Sequence, residues 1–251
     1  MLTHPTLDRL RALKLEGMAK AFEEQLACSD YQSVIFEDRL GFLVDREIIE
    51  RENRRFTSRL KKAKLRQQAC IEDLDYQFPR GLDKSLIRSL ATCQWIREHL
   101  NVLVTGPTGV GKSYIACALA HRACVEGFKV LYFRASRLFQ EFTIARGDGR
   151  YSKLMNTIAK SDLVVLDDWG LSTLTHQEQS DFLELLEDRH GIHSTLLTSQ
   201  YPVSHWHELM ENPTLADAIL DRLVNSAYKL AMSGESMRKK KAALTTHSEM
   251  S

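Results

Sequence analysis

The sequence predicts an α/β protein: a five-stranded, mostly parallel sheet flanked by helices, preceded by a small all-helical domain. Three observations carry this prediction. Short aliphatic runs alternate with helical patterns from about residue 99 onward, which is the grammar of strand–helix–strand units. The first of these runs is followed at once by GPTGVGKS, residues 106–113, a glycine-rich loop that opens a helix. The first 70 residues show only helical periodicity and end in a strongly basic stretch.

Taken in order, Pro5 suits a first helical turn, and Leu10, Leu13, Met18 and Phe22 continue a helical pattern from Thr6 to about Ala27. The turn CSD at 28–30 interrupts it, and Phe36, Leu40, Leu43 and Ile48 mark a second helical run. Residues 51–66, RENRRFTSRLKKAKLR, hold Arg51, Arg54, Arg55, Arg59, Lys61, Lys62, Lys64 and Arg66 against the single acid Glu52. Residues 71–98 are expected to be a linker, because FPRGLD at 78–83 carries turn chemistry. The strands expected next are VLVT (102–105), VLYF (130–133), LVVL (163–166), TLLT (195–198) and AYKLAM (227–232). Helices 112–126 and 178–190 lie between them, ended by Gly127 and Gly191. The expected division is thus a helical domain over 1–70, a linker over 71–98, a core over 99–243 and a tail over 244–251.

Composition narrows the function classes. At 251 residues, 43% hydrophobic and 27% charged, the chain can bury a core, and its net charge of +1 hides the basic stretch. Five scattered cysteines, with no C-x-x-C pair, indicate reduced thiols rather than a disulfide framework or zinc ribbon. The N-terminus has charges threaded through its apolar residues, unlike a secretory signal, and no run of about 18 apolar residues could span a membrane. A cytoplasmic location with no membrane partner is the expectation. The histidine pairs at 205–207 and 190–193 lack metal-site spacing and read as surface or turn residues.

GPTGVGKS is a complete G-x-x-x-x-G-K-[ST] phosphate loop, placed between a strand and a helix as the motif requires. The segment Gly106, Pro107, Thr108, Gly109, Val110, Gly111, Lys112, Ser113 and Tyr114 is expected to bind ATP, with the backbone N–H groups of residues 109–113 curling around the phosphates. Lys112 is expected to reach the β- and γ-phosphates and Ser113 to ligate Mg²⁺. Asp167 and Asp168, at the end of LVVLDDWG, explain why a dry strand ends in two carboxylates. Asp167 answers the cation, and Asp168 is placed to orient and deprotonate water. Thr198, Ser199 and Gln200 end the fourth strand, where Gln200 or Ser199 would face the γ-phosphate. Arg222, at the end of a short apolar helix, is a candidate finger for a neighbouring subunit's ATP. Arg238 is a further candidate, for nucleotide or for DNA.

These residues resemble the AAA+ ATPases of the DnaC/IstB type, and most closely the IstB transposition helpers. GPTGVGKS, LVVLDDWG, LLTSQYP, DRL and GESMRK occur in the family's order and spacing, over essentially the whole chain. FPRGLDKSLIRSLATCQWI, the Asp-Asp pair and ARGDGRYSKL point to the IstB branch. The resemblance implies a P-loop AAA+ core with strand order 5-1-4-3-2, ATP and Mg²⁺ as cofactors, and hydrolysis of ATP to ADP and phosphate. It also implies a homo-oligomer with ATP at subunit interfaces, a grip on duplex DNA, and recruitment of a cognate transposase. Gln200 falls on the first sensor, Arg222 on the finger and Arg238 on the second sensor. After Arg222 only 29 residues follow, too few for the full helical lid on which a second sensor normally rests.

DNA contact is expected from the basic stretch 51–66 and from the 145–154 loop with Arg146, Arg150 and Lys153, without strong sequence preference. The rival readings are a replicative helicase loader of the DnaC type, a nucleotide-gated DNA scaffold with little hydrolysis, and a small-molecule P-loop kinase.

Overall fold

The computed structural model describes residues 4–237 and divides the chain into two compact units, residues 1–58 and 59–251. Within the first unit lie α1 (Pro5–Ala12), α2 (Glu16–Ala27) and most of α3 (Phe36–Ala63). The single helical run expected from Thr6 to Ala27 is two helices. Lys14, at a φ of 59°, breaks it, and Glu47 of α3 restarts it by accepting from the Gly17 and Met18 amides at 2.7 and 3.2 Å. A carboxylate there meets the positive end of α2. Gly17 permits the approach, since a Cβ would stand 2.6 Å from the Arg46 carbonyl oxygen. Burial alone would raise the Glu47 pKa, but hydrogen bonds from Arg51 and the two amides hold it below its ordinary value.

The second unit does not begin with a linker. Residues 71–98 fold into it through α4 (Lys84–Ala91) and α5 (Gln94–Arg97). Asp83 caps α4 by accepting from the Ser85 amide at 2.7 Å. Ile87, Leu90, Cys93, Trp95 and Ile96 are buried. The apolar spacing of Leu86, Ile87, Leu90 and Ala91 marks this helix, but it is short and follows directly on the turn residues Pro79 and Gly81, whose chemistry dominated the sequence pattern.

The sheet comprises β1 (Asn101–Thr105), β2 (Val130–Arg134), β3 (Leu163–Trp169), β4 (Ser194–Ser199) and β5 (Ala227–Ala231). The order is β2-β3-β4-β1-β5 and every pairing is parallel, which is the expected order read from the other edge. β1, β3 and β4 are sealed by helices on both faces, so they read as unbroken aliphatic runs. The crossovers are α6 (Lys112–Val125), α7 (Ala135–Gly147), α8 (Tyr151–Ala159), α9 (His176–Arg189) and α10 (Pro213–Val224). Thr175 and Glu178 form a capping box at the start of α9, two residues ahead of the expected boundary. Trp169 packs on Phe182 with ring centroids 4.7 Å apart, anchoring the end of β3. Arg238, the three lysines that follow it (239–241) and the 244–251 segment lie outside the described residues.

Candidate nucleotide site

The site forms where β1 and β3 end on either side of β4, the crevice in which a parallel sheet offers its loops to ligands. β1 runs directly into the phosphate loop. Gly111 caps α6 at a φ of 103°, and a Cβ there would stand 2.6 Å from the Arg80 guanidinium. At Gly106 a Cβ would collide with the Met232 carbonyl oxygen. These two positions therefore exclude side chains on both conformational and packing grounds. Arg80, itself buried, donates to the Val110 oxygen at 3.1 Å and steadies the loop from behind.

Asp167 is fully buried, a position that costs an ionised carboxylate several kcal/mol unless donors surround it. They do. Its Oδ1 accepts from Ser113 at 2.9 Å and Thr198 at 2.5 Å, and its Oδ2 from Tyr132 at 2.5 Å and Arg66 at 3.3 Å. Burial and the bond to Asp167 push the Tyr132 phenol well above its ordinary pKa, so it remains a donor. The ladder between β3 and β4 slips between Leu166 and Trp169. Asp168 sits in that irregularity at a φ of 62°, with its amide donating to Thr198 Oγ1 at 3.0 Å. One threonine hydroxyl thus holds both aspartates: it donates to the side chain of the first and accepts from the backbone of the second. Asp168 is turned outward, beside Arg66 at 3.2 Å and Arg134 at 3.4 Å.

Thr108, Lys112, Ser113, Asp168 and Gln200 line one cavity of about 180 Å³, joined by Gln67. Lys112 folds onto its own loop, donating to the Gly106 and Pro107 oxygens at 2.7 and 2.9 Å. Gln200 accepts from Thr108 at 2.7 Å. Ser199 is buried and donates to the Trp169 oxygen at 3.0 Å, so Gln200 is the residue that faces the cavity. The glycine cradle and its lysine fit a polyphosphate. Ser113 and Asp167 present only oxygens at that point, the donor set a hard divalent cation takes.

Arg222 lies elsewhere. Its carbonyl accepts from Asn101 Nδ2 at 3.2 Å, at the opposite end of β1 from the phosphate loop. Its guanidinium donates to Glu187 at 2.8 Å and borders a second cavity of about 130 Å³ with Arg189, His99, His190 and His193. It does not approach the nucleotide site of its own chain.

The basic residues separate into groups. Arg54, Arg55, Lys61, Lys62, Lys64 and Lys153 are exposed. Arg51 pairs with Glu47 at 2.7 Å, and Arg59 donates to the Cys124 oxygen at 2.9 Å. Arg146 is engaged by Asp181 and stacks on Tyr151 at 3.9 Å, and Arg150 donates to Asp148 at 2.8 Å. Arg66, expected to face DNA, is turned to the acidic pair instead, because two carboxylates within 3.3 Å outbid solvent. Sequence reasoning also missed Tyr132, Arg134 and the double role of Thr198. A tyrosine in the strand predicted to flank Asp167, and an arginine directly after it, were the available signals.

The comparisons agree with this geometry. Residues 8–245 match the family model described as IstB-like ATP binding protein. A protein of Sinorhizobium fredii named as insertion sequence ATP-binding protein y4pL is 51% identical over 239 residues, covering 95% of this chain and 98% of its own. One named for ATP binding in insertion sequence IS1162 of Pseudomonas fluorescens is 47% identical over 205 residues, covering 81% and 89%. In fold, the chain is similar to the solved structure of DnaI, with a TM-score of 0.56 at 21% identity over 66% of this chain and 91% of that one. The DnaC helicase loader follows at 0.51 and 20%, covering 65% and 96%. The chain belongs to the IstB-like family of insertion sequence ATP-binding proteins.

Proposed function

We propose that this protein is a Mg²⁺-dependent ATPase that assembles on duplex DNA and delivers it to the transposase of its insertion sequence. The observation that carries the reading is the meeting of Ser113 and the phosphate loop at one cavity wall, with Asp167 hydrogen-bonded to Ser113 just behind it and Asp168 lining the same cavity. Bound ATP receives the loop amides and the Lys112 ammonium, which exchanges its two loop carbonyls for phosphate oxygens. Mg²⁺, held through Ser113 and Asp167, would neutralise charge that builds on the phosphates. Asp168 accepts the proton of the attacking water, and Gln200 orients that water. Arg222, remote from its own site, serves the ATP of the next subunit in a head-to-tail assembly.

Duplex contact falls to the exposed cations of the basic stretch, Arg54, Arg55, Lys61, Lys62 and Lys64, with Lys153 as an outlying contact. Phosphate contacts of this kind release counterions and read no bases. The insertion sequence relatives favour the transposase as partner.

One assay set tests the scheme: ATP-dependent retention of duplex DNA and ATP turnover in wild type, Lys112→Ala and Arg222→Ala. Lys112→Ala is expected to lose nucleotide binding and, with it, ATP-dependent retention. Arg222→Ala is expected to bind nucleotide yet lose turnover. Retention by Lys112→Ala equal to wild type at saturating ATP would uncouple DNA from the nucleotide site, and undiminished turnover by Arg222→Ala would remove it from catalysis.

A further inference from the structure

Three cations at the nucleotide site rest on the protein's own oxygens, Arg134 among them, beside Asp168 at 3.4 Å. Lys112 sits on loop carbonyls, and Arg66 Nη1 bridges Oδ2 of Asp167 and Oδ2 of Asp168 at 3.3 and 3.2 Å. Arg66 completes the donor set of Asp167: with Ser113, Thr198 and Tyr132 it brings the acceptor oxygens to two hydrogen bonds each. The guanidinium is therefore in the position of a counter-ion to the acidic pair.

The segment that carries Arg66 is short and clamped. It leaves α3 at Ala63, reverses at Lys64 with a φ of 53°, and is pinned by buried Ala63 and Ala69. The Arg66 and Gln67 backbone lies against the Cys117 thiol of α6, and Gln67 reaches the cavity wall. The exposed Lys61, Lys62 and Lys64 stand within five residues of Arg66 on the same piece of chain. A divalent cation entering with ATP needs an Asp167 oxygen beside Ser113. A divalent cation on the Asp167 oxygen beside Ser113 would repel the Arg66 guanidinium on the other oxygen and weaken its hold.

We propose that Arg66 is a displaceable internal counter-ion, which neutralises Asp167 and Asp168 until Mg²⁺·ATP expels it and frees residues 64–70. The proposal rests on the reading of the site as one for Mg²⁺·ATP. Arg66 then reports cation loading to the basic stretch. Displacement adds its charge to that of Lys61, Lys62 and Lys64, so the same event that loads ATP strengthens the surface offered to DNA phosphates. Nucleotide without a divalent cation leaves Arg66 in place.

Amide hydrogen exchange on the full chain tests this, using a non-hydrolysable ATP analogue with Mg²⁺ or with EDTA, alongside analogue affinity for wild type and Arg66→Gln. In wild type, amides of 64–70 are expected to exchange faster with Mg²⁺ and analogue, and unchanged with analogue in EDTA. In Arg66→Gln they exchange fast throughout, and the Mg²⁺-bound analogue binds about two- to fivefold tighter, the scale of a part-exposed ion pair no longer broken on loading. Slower or unaltered exchange at 64–70 on loading, or weaker binding by Arg66→Gln, overturns the proposal, the last making Arg66 a phosphate ligand. The wild-type exchange result decides by itself if the variant does not fold. Protection of amides 109–113 by analogue, with an indifferent 64–70 segment, overturns this proposal alone. No protection at 109–113 overturns both it and the nucleotide reading.

Discussion

Asp168 occupies the left-handed region of the backbone, where a non-glycine residue bears about 1–2 kcal/mol of strain. The slip of the β3–β4 ladder and the Thr198 hydroxyl hold it there. The strain separates two adjacent carboxylates into two environments: Asp167 stays buried among donors, and Asp168 reaches the cavity edge. Asp168 is therefore the one of the two that borders the cavity, where the proposed attack by water would take place. Asp168→Asn keeps the backbone geometry, because asparagine tolerates the same φ, but removes the basic oxygen. Phosphate-release kinetics are expected to fall by about 100-fold or more, with nucleotide affinity little changed. Turnover near that of wild type would assign the base elsewhere.

At the scale of elements, the α2 start shows how a helix can begin without a local cap. Glu47 supplies from α3 the acceptor that the sequence around Gly17 lacks. Its lowered pKa means the carboxylate contributes stability above the ordinary value of 4.5, and that contribution is lost as pH falls through the lowered folded value. Glu47→Gln is expected to cost about 1–2 kcal/mol near neutrality. Urea melts across the acid range check this: the variant should lack part of the wild-type loss of stability on acidification, and identical acid limbs would place the stabilisation elsewhere. The same element marks what was legible in the sequence. All five strands and the phosphate loop could be read because each is a local pattern. The split between α1 and α2, the packing of α4 and the turn of Arg66 into the site depend on partners 30 to 101 residues away, which periodicity does not encode. Gln200 and the acidic pair could be read from their place at strand ends. The sharing of Thr198 between the two aspartates needed the ladder slip.

For the whole molecule, the sheet order puts the phosphate loop and the acidic pair at one end of the strands and Arg222 at the other. A protein built this way has its phosphate loop at one end and Arg222, paired with Glu187, at the other, an arrangement suited to the proposed head-to-tail assembly. The proposed hold on DNA draws on the exposed lysines and arginines of the basic stretch, and Arg66, seven residues on from Arg59, links that stretch to the acidic pair. The central claim is that the phosphate loop and the basic stretch belong to one machine. The most direct test is ATP turnover by the purified protein, with and without duplex DNA, across a salt series. The account predicts that duplex DNA accelerates turnover and that the acceleration fades steeply with salt as phosphate contacts weaken. Turnover that is indifferent to DNA at every salt concentration would contradict it.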